Sequence, residues 1–209
     1  MKSLVSTVLL SSLLLFGCSF TPSELKSITL KHGIQFDFWG DWHILSQEFN
    51  QASEYSSDNN TINNNIPNLE GLITPYEVLF NAKLETGNNI SYVKVTAFPH
   101  HLTQEKVREF DEHALSEYRE IVVQQYEKAL VGMMGSNLHI DVQPVEINDL
   151  AAIKITGSFD LYKDPSQYFE TYKFYMDDVT VALSIEKYSR DGNYVIEGLE
   201  KLIESFRIE

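Results

Sequence analysis

The chain has 209 residues, 43% of them hydrophobic, and carries a net charge of −14 at neutral pH. So acidic a surface repels nucleic acid and anionic headgroups, which excludes nucleic-acid binding as a function class. One cysteine excludes an internal disulfide, so the fold must rest on its core, and a domain of about 150 residues already buries roughly 68–70% of its unfolded surface.

That cysteine, Cys18, closes the stretch "LLLFGC". Met1-Lys2 supplies a start and a positive charge, and an uncharged run rich in Leu, Val and Ser follows from Ser3 to Gly17. This is the plan of a secretory signal, and the run is shorter than the ~20 apolar residues that span a bilayer. Leu15-Phe16-Gly17-Cys18 resembles the bacterial lipobox, with an apolar residue at −3 and a small one at −1 ahead of the +1 cysteine; Phe16 at −2 departs from the usual Ala or Ser. The resemblance implies that residues 1–17 are a lipoprotein signal peptide, that the Cys18 thiol is diacylated, and that the new amine is acylated. Stable anchoring takes two lipid signals, each buried CH₂ contributing ~0.8 kcal/mol, and a diacylglyceryl cysteine supplies two chains. Ser19 is not the Asp that retains such proteins at an inner membrane, so in a two-membrane host the resemblance implies the outer membrane, facing the periplasm.

Residues 18–27 read as the lipidated cysteine and a tether, and 28–209 as one domain. Ile28–Lys31 and Ile34–Phe38 read as strands around a His32-Gly33 turn, and Trp42–Leu45 restarts a strand after Gly40-Asp41. Residues 50–68, "NQASEYSSDNNTINNNIPN", form an Asn/Ser-rich loop within the domain, because Asn and Ser offer the backbone local alternatives to regular structure. Val78–Leu84 and Ile90–Phe98 alternate as a hairpin about Gly87-Asn88. Thr103 caps one long helix ending near Gly132 and Gly135, whose buried face is Val107, Phe110, Ala114, Tyr118 and Ile121. Leu138–Ile147 is a strand bent at Pro144, followed by an Asn148-Asp149 turn. Ile153, Ile155, Gly157, Phe159 and Leu161 then alternate. Tyr168–Met176 and Val179–Lys187 flank a turn at Asp177-Asp178. A closing helix from about Gly192 to Ser205 carries Val195, Ile196, Leu199, Leu202, Ile203 and Phe206 on one stripe. Hairpin connections and two amphipathic helices predict an α+β fold, an antiparallel sheet with packed helices.

The segments "GIQFDFWGDWHIL", "ISYVKVTAFPHHLTQEKVREF", "NDLAAIKITGSF" and "LIESFRI", in this order behind a lipobox, resemble the DcrB-type bacterial lipoproteins of the PsbP-like α/β/α sandwich. The resemblance covers nearly the whole mature chain through degenerate apolar and small-residue patterns, and the Asn-rich insertion departs from the compact family plan. It implies a non-catalytic binding, assembly or maintenance role in the cell envelope, and carries over no binding residue.

Direct signs of chemistry are sparse. No nucleophile elbow, Walker loop, dinucleotide fingerprint or zinc spacing is present, so neither an enzyme nor a cofactor is expected. His100-His101 with Asp111 and His113 is the best metal candidate, but about ten helical residues, roughly 15 Å, separate His113 from Thr103, and no metal site is assigned. Asp177-Asp178, Asp111-Glu112 and the Asp160/Asp164 pair fit turns and solubility better than facing catalytic carboxylates. Trp39 and Trp42 fit core or rim packing. Tyr162, Tyr168, Phe169, Tyr172, Phe174 and Tyr175 crowd one strand region, and Tyr168, Tyr172 and Tyr175 are the candidate partner contacts, since tyrosine gives large contact area at low entropic cost. The expectation is a lipid-anchored envelope protein with a protein partner; the alternative is a small-ligand or metal-binding envelope lipoprotein.

Overall fold

The computed structural model describes residues 25–39, 41–45, 77–86, 89–99, 102–133, 135–161, 167–176, 178–188 and 193–209. Its strands are β1 (Leu25–Thr29), β2 (Ile34–Trp39), β3 (His43–Ile44), β4 (Glu77–Thr86), β5 (Asn89–Pro99), β6 (Gly135–Ile147), β7 (Leu150–Leu161), β8 (Gln167–Tyr175), β9 (Val179–Tyr188) and β10 (Arg207–Ile208). Its helices are α1 (Gln104–Arg108), α2 (Glu112–Met133) and α3 (Asn193–Ser205). The larger sheet runs β3-β4-β5-β9-β8-β7-β6, and a smaller one runs β1-β2-β10. Every pairing is antiparallel, as short hairpin connections demand.

Alternation along the central strands gives the large sheet two buried faces, each with its own core. On one face Val93, Val95, Phe174, Val181, Leu183 and Ile185 meet α3 (Val195, Leu199, Leu202) and β2 (Ile34, Phe36, Phe38). Phe206 sits where these layers join, stacked on Phe174 at 4.8 Å and on Phe36 at 6.0 Å between ring centres. On the other face Ile153, Ile155, Phe159, Phe169 and Tyr175 meet Val107 of α1 and Val122, Tyr126 and Leu130 of α2. Tyr126 lies flat on Phe169 at 4.6 Å. Phe169 in turn lies over its cross-strand partner Gly157, where a β-carbon would come within 2.4 Å of the ring. The domain is thus α+β, a mostly antiparallel β structure with helices on both faces.

The structure departs from the sequence expectation at several points, one of them a bulge between Val78 and Phe80 that breaks the expected alternation of β4. β1 begins at Leu25 and pairs with Trp39, so three residues expected in the tether belong to the sheet. The long helix is two: α1 ends at Arg108 with Glu109 as its C-cap, and Asp111 starts α2 by accepting from the Ala114 amide at 2.8 Å. A carboxylate that satisfies first-turn amides nucleates a new helix in a new phase, which turns Ile121 outward at 53% exposure and leaves Val122, Tyr126 and Leu130 as the buried face. β6 passes Pro144 in register with Ile153; its irregularity lies between Ser136 and His139. Proline is tolerated there because β6 ends the sheet order, and an edge strand need not donate outward. Finally, the closing helix ends at Ser205 as expected, and Arg207 and Ile208, given no element by the sequence, pair with Gln35 and Ile34. The expected turn at His32-Gly33 is present, with φ of 59° and 69°; a side chain on Gly33 would strike the Glu209 carbonyl oxygen at 2.3 Å.

Candidate functional site

Strand β8 sends Tyr168, Glu170, Tyr172 and Phe174 to the α3 face and Phe169, Thr171, Lys173 and Tyr175 to the α2 face, by the two-residue period of a strand. On the α3 face, Glu170 is clamped. Its carboxylate accepts from Lys187 at 2.6 Å and from the Tyr172 hydroxyl at 2.9 Å, and lies 3.1 Å from Lys154. The Lys154 ammonium also stands over the Tyr172 ring, 5.2 Å from its centre. Burial alone would push the Glu170 carboxyl up, but Lys187, Tyr172 and Lys154 together hold it at about 2. Burial and the adjacent Glu170 charge push the Tyr172 hydroxyl well above the usual phenol range. The cluster is therefore a fixed arrangement of charges beside Tyr168, which pairs with Ser158 and Lys187 across the strands.

The α2 face carries a second polar arrangement. The register places Thr171, Ser184, Lys94 and Asn81 side by side across β8, β9, β5 and β4, with Glu186, Tyr92 and Lys83 in the next row. Asn81, Lys94, Thr96, Thr171, Lys173, Thr180 and Glu186 are all buried. Among the described residues, four buried side-chain atoms have no hydrogen-bond partner: Asn81 Nδ2, Gln167 Oε1, Thr180 Oγ1 and Glu186 Oε1. Such groups cost about 1–3 kcal/mol each and call for a specific explanation. Burial pushes the Glu186 carboxyl up to about 8 against the opposing pull of Lys94. Nearer α2, Lys173 donates to the Tyr118 hydroxyl at 3.1 Å, and Tyr118 and Tyr175 share a hydrogen bond at 3.0 Å.

A third feature is a groove of ≈ 410 Å³ lined by Ile28, Leu30 and Lys31 of the small-sheet side and by Ile44, Leu45 and Glu77–Phe80 of the large sheet. Lys31 and Glu77 form an ion pair across it.

No protein-family model matches the sequence, and no curated protein does. The solution structure of cyanobacterial PsbP (CyanoP) from Synechocystis sp. PCC 6803 superposes with a TM-score of 0.53 at 6% identity, covering 91% of this chain and 96% of that one. The fold is PsbP-like. LpqN, involved in cell envelope biogenesis of Mycobacterium tuberculosis, overlaps with a TM-score of 0.44 at 9% identity, covering 88% of this chain and 89% of its own. A crystal structure from Bacteroides thetaiotaomicron gives 0.41 at 7% identity, covering 85% of this chain and 45% of that one. At 6% identity the likeness to CyanoP is one of fold and transfers no residue.

Within this PsbP-like fold the sequence-selected residues scatter. Tyr168 is 40% exposed, whereas Tyr172 and Tyr175 are buried on opposite faces of β8, so the three do not form one surface. Asp111 caps α2, His113 pairs with Glu117 at 3.5 Å, and Asp160 accepts from Asn137 at 2.7 Å. Trp42 is core, beside Phe38. Cys18, His100, His101, Tyr162, Asp164, Asp177 and the 50–68 stretch lie outside the described residues. Among the described residues no three His, Cys, Asp or Glu side chains gather closely enough to hold a metal. The buried α2-face polar band escapes a reading by alternation, since polar positions on one side of a strand read as solvent-facing. Its visible signal is Lys94, a cation in the middle of the otherwise uncharged "ISYVKVTAF".

Proposed function

We propose that this chain is a lipid-anchored cell-envelope protein that acts without catalysis, as a binding or assembly factor for another envelope protein. The observation that carries the binding half is the α3-face cluster. Tyr168 is an exposed aromatic flanked by charges whose positions are already fixed by Glu170, and a pre-ordered aromatic-and-charged patch loses little entropy on contact. The lipobox-like "LLLFGC" supports the anchored half, and a PsbP-like scaffold is compatible with a binding role. β1 starts at Leu25, so six residues after Cys18 reach roughly 20 Å at ~3.3 Å each, and the domain works close to the membrane surface. An outer-membrane location in a two-membrane host belongs to the same reading.

The test is site-directed photo-crosslinking in the native envelope from position 168 and, as control, from Val131, which is 80% exposed on α2. A discrete adduct from position 168 that is absent from position 131 supports the reading, and the same pattern from both sinks it. Turnover of an envelope substrate that disappears on changing one buried polar residue would overturn the non-catalytic assignment. The groove of ≈ 410 Å³ favours a second reading, a small apolar ligand, because pockets of roughly 300–1,000 Å³ suit such molecules. Loss of ligand-induced thermal stabilisation in Leu79→Asp checks it.

A further inference from the structure

The groove between the two sheets is charged at one end and apolar along the rest. One wall is Ile28 of β1 with Leu30 and Lys31 after it, and the other runs from Glu77 to Phe80 on β4. Lys31 closes the first run and Glu77 opens the second, and the two form an ion pair, so both charges sit at one end. The far end is set by β3. Its Ile44 pairs with Ala82, and the Leu45 amide donates to the Asn81 carbonyl, which places both apolar side chains at the Phe80 end. A wall of four strand residues at ~3.3 Å each is roughly 13 Å long. The volume of ≈ 410 Å³ lies near the lower end of the roughly 300–1,000 Å³ of small-ligand sites, which suits one hydrocarbon chain. Ile44 is 43% exposed, apolar surface that such an occupant would cover.

We propose that the groove holds one acyl chain of a zwitterionic membrane phospholipid, with the phosphate at Lys31 and the ammonium at Glu77. The inference rests on the second reading above, an apolar ligand in the groove, and names that ligand. A trough with a charged end and an apolar end matches an amphiphile. The chain lies along Ile28, Leu30, Leu79 and Phe80, and the headgroup stays at the rim, where the Lys31 and Glu77 side chains are 69% and 43% exposed. An ion pair so exposed contributes little to stability, so it parts readily to meet a phosphate on one side and an ammonium on the other. A headgroup carrying both charges satisfies both side chains. A purely anionic one sets its phosphate against Glu77 and against a chain of net charge −14. In the anchored protein the source is close: β1 starts at Leu25, and the six residues between Cys18 and Leu25 span roughly 20 Å at most.

The test is photolabelling of the mature protein carrying Cys18→Ser, which needs no detergent, so the outcome does not depend on the anchor. The probes are a photoactivatable lysophosphatidylethanolamine, its phosphatidylglycerol counterpart and a long-chain alcohol, each below its micelle concentration. Adducts of the zwitterionic probe, mapped by mass spectrometry, should concentrate on residues 28–31 and 77–80, roughly fivefold above the anionic one. Leu79→Asp should remove them about tenfold by placing a charge on the apolar wall. Glu77→Lys, a change at the exposed rim that leaves the melting temperature near wild type, should reverse the headgroup preference. An unchanged preference in Glu77→Lys overturns the proposal. If the alcohol labels the groove as strongly as the zwitterionic lipid, the phospholipid assignment falls and the apolar-ligand reading stands; if no probe labels the groove, both fall. Lipidated wild type that excludes the probe admitted by Cys18→Ser would mean that the chain's own anchor fills the groove, which also overturns the proposal.

Discussion

At the scale of single residues, two glutamates one strand apart are pushed in opposite directions. Glu170 is held at about 2, so its contribution to stability is present above the ordinary carboxylate range and is lost as pH falls from about 4.5 towards 2. Glu186 is pushed up to about 8 by burial. Its protonated form fits the core, so stability is full below about 4.5 and falls as pH rises towards 8, at about 1.4 kcal/mol per pKa unit of difference. Glu186→Gln, which mimics the protonated acid, should flatten the decline in melting temperature between pH 5 and 9. A slope unchanged from wild type would show that Glu186 is not its source. Gly157→Ala should destabilise by about 1–3 kcal/mol through overpacking, because the Phe169 ring occupies the space of a β-carbon; chemical denaturation measures it. These environments were only partly legible in sequence. The sequence grouped Tyr168, Tyr172 and Tyr175 as partner contacts, but the two-residue period sends Tyr175 to the other side of β8, and alternation does not say which side is covered. Thr180 and Glu186 have the polarity of a wet face, yet both are buried, and only packing between distant segments decides that.

At the scale of elements, the strands were the most legible part, since β5, β7, β8 and β9 each keep a two-residue period, while β4 breaks it at a bulge between Val78 and Phe80. The helix after Thr103 was less so. Its apolar spacing continues through Phe110, and the competing signal is one side chain, Asp111, whose carboxylate caps a new helix. Asp111→Ala should therefore cost about 1 kcal/mol, the usual worth of such a cap, and should raise hydrogen exchange in the first turn of α2 more than in α1. Equal protection in the two would mean the cap is dispensable. The two-residue β10 gave no periodic signal at all, because a strand that short has no pattern to show.

At the scale of the whole molecule, the proposed anchor at Cys18 lies outside the described domain, so the two should be separable. Cys18→Ser should abolish metabolic lipid labelling and release the protein from membranes, with its melting temperature unchanged. Retention on membranes would count against acylation. The small sheet bears on how the molecule reaches its folded state. Its middle strand β2 is completed by Arg207 and Ile208, and Arg207 bonds Gln35 across a separation of 172 residues. Glu209 then closes onto Gly33, its amide donating to the glycine carbonyl at 3.1 Å. Because Phe206 also stacks between Phe36 and Phe174, the layer joining the early strands to the large sheet has no keystone until residues 206–209 are in place. Contacts so distant in sequence form late and slowly. Docking of residues 206–209 against β2 and Phe174 is thereby the clasp of the fold, and the two sheets stay unlatched from one another until it closes.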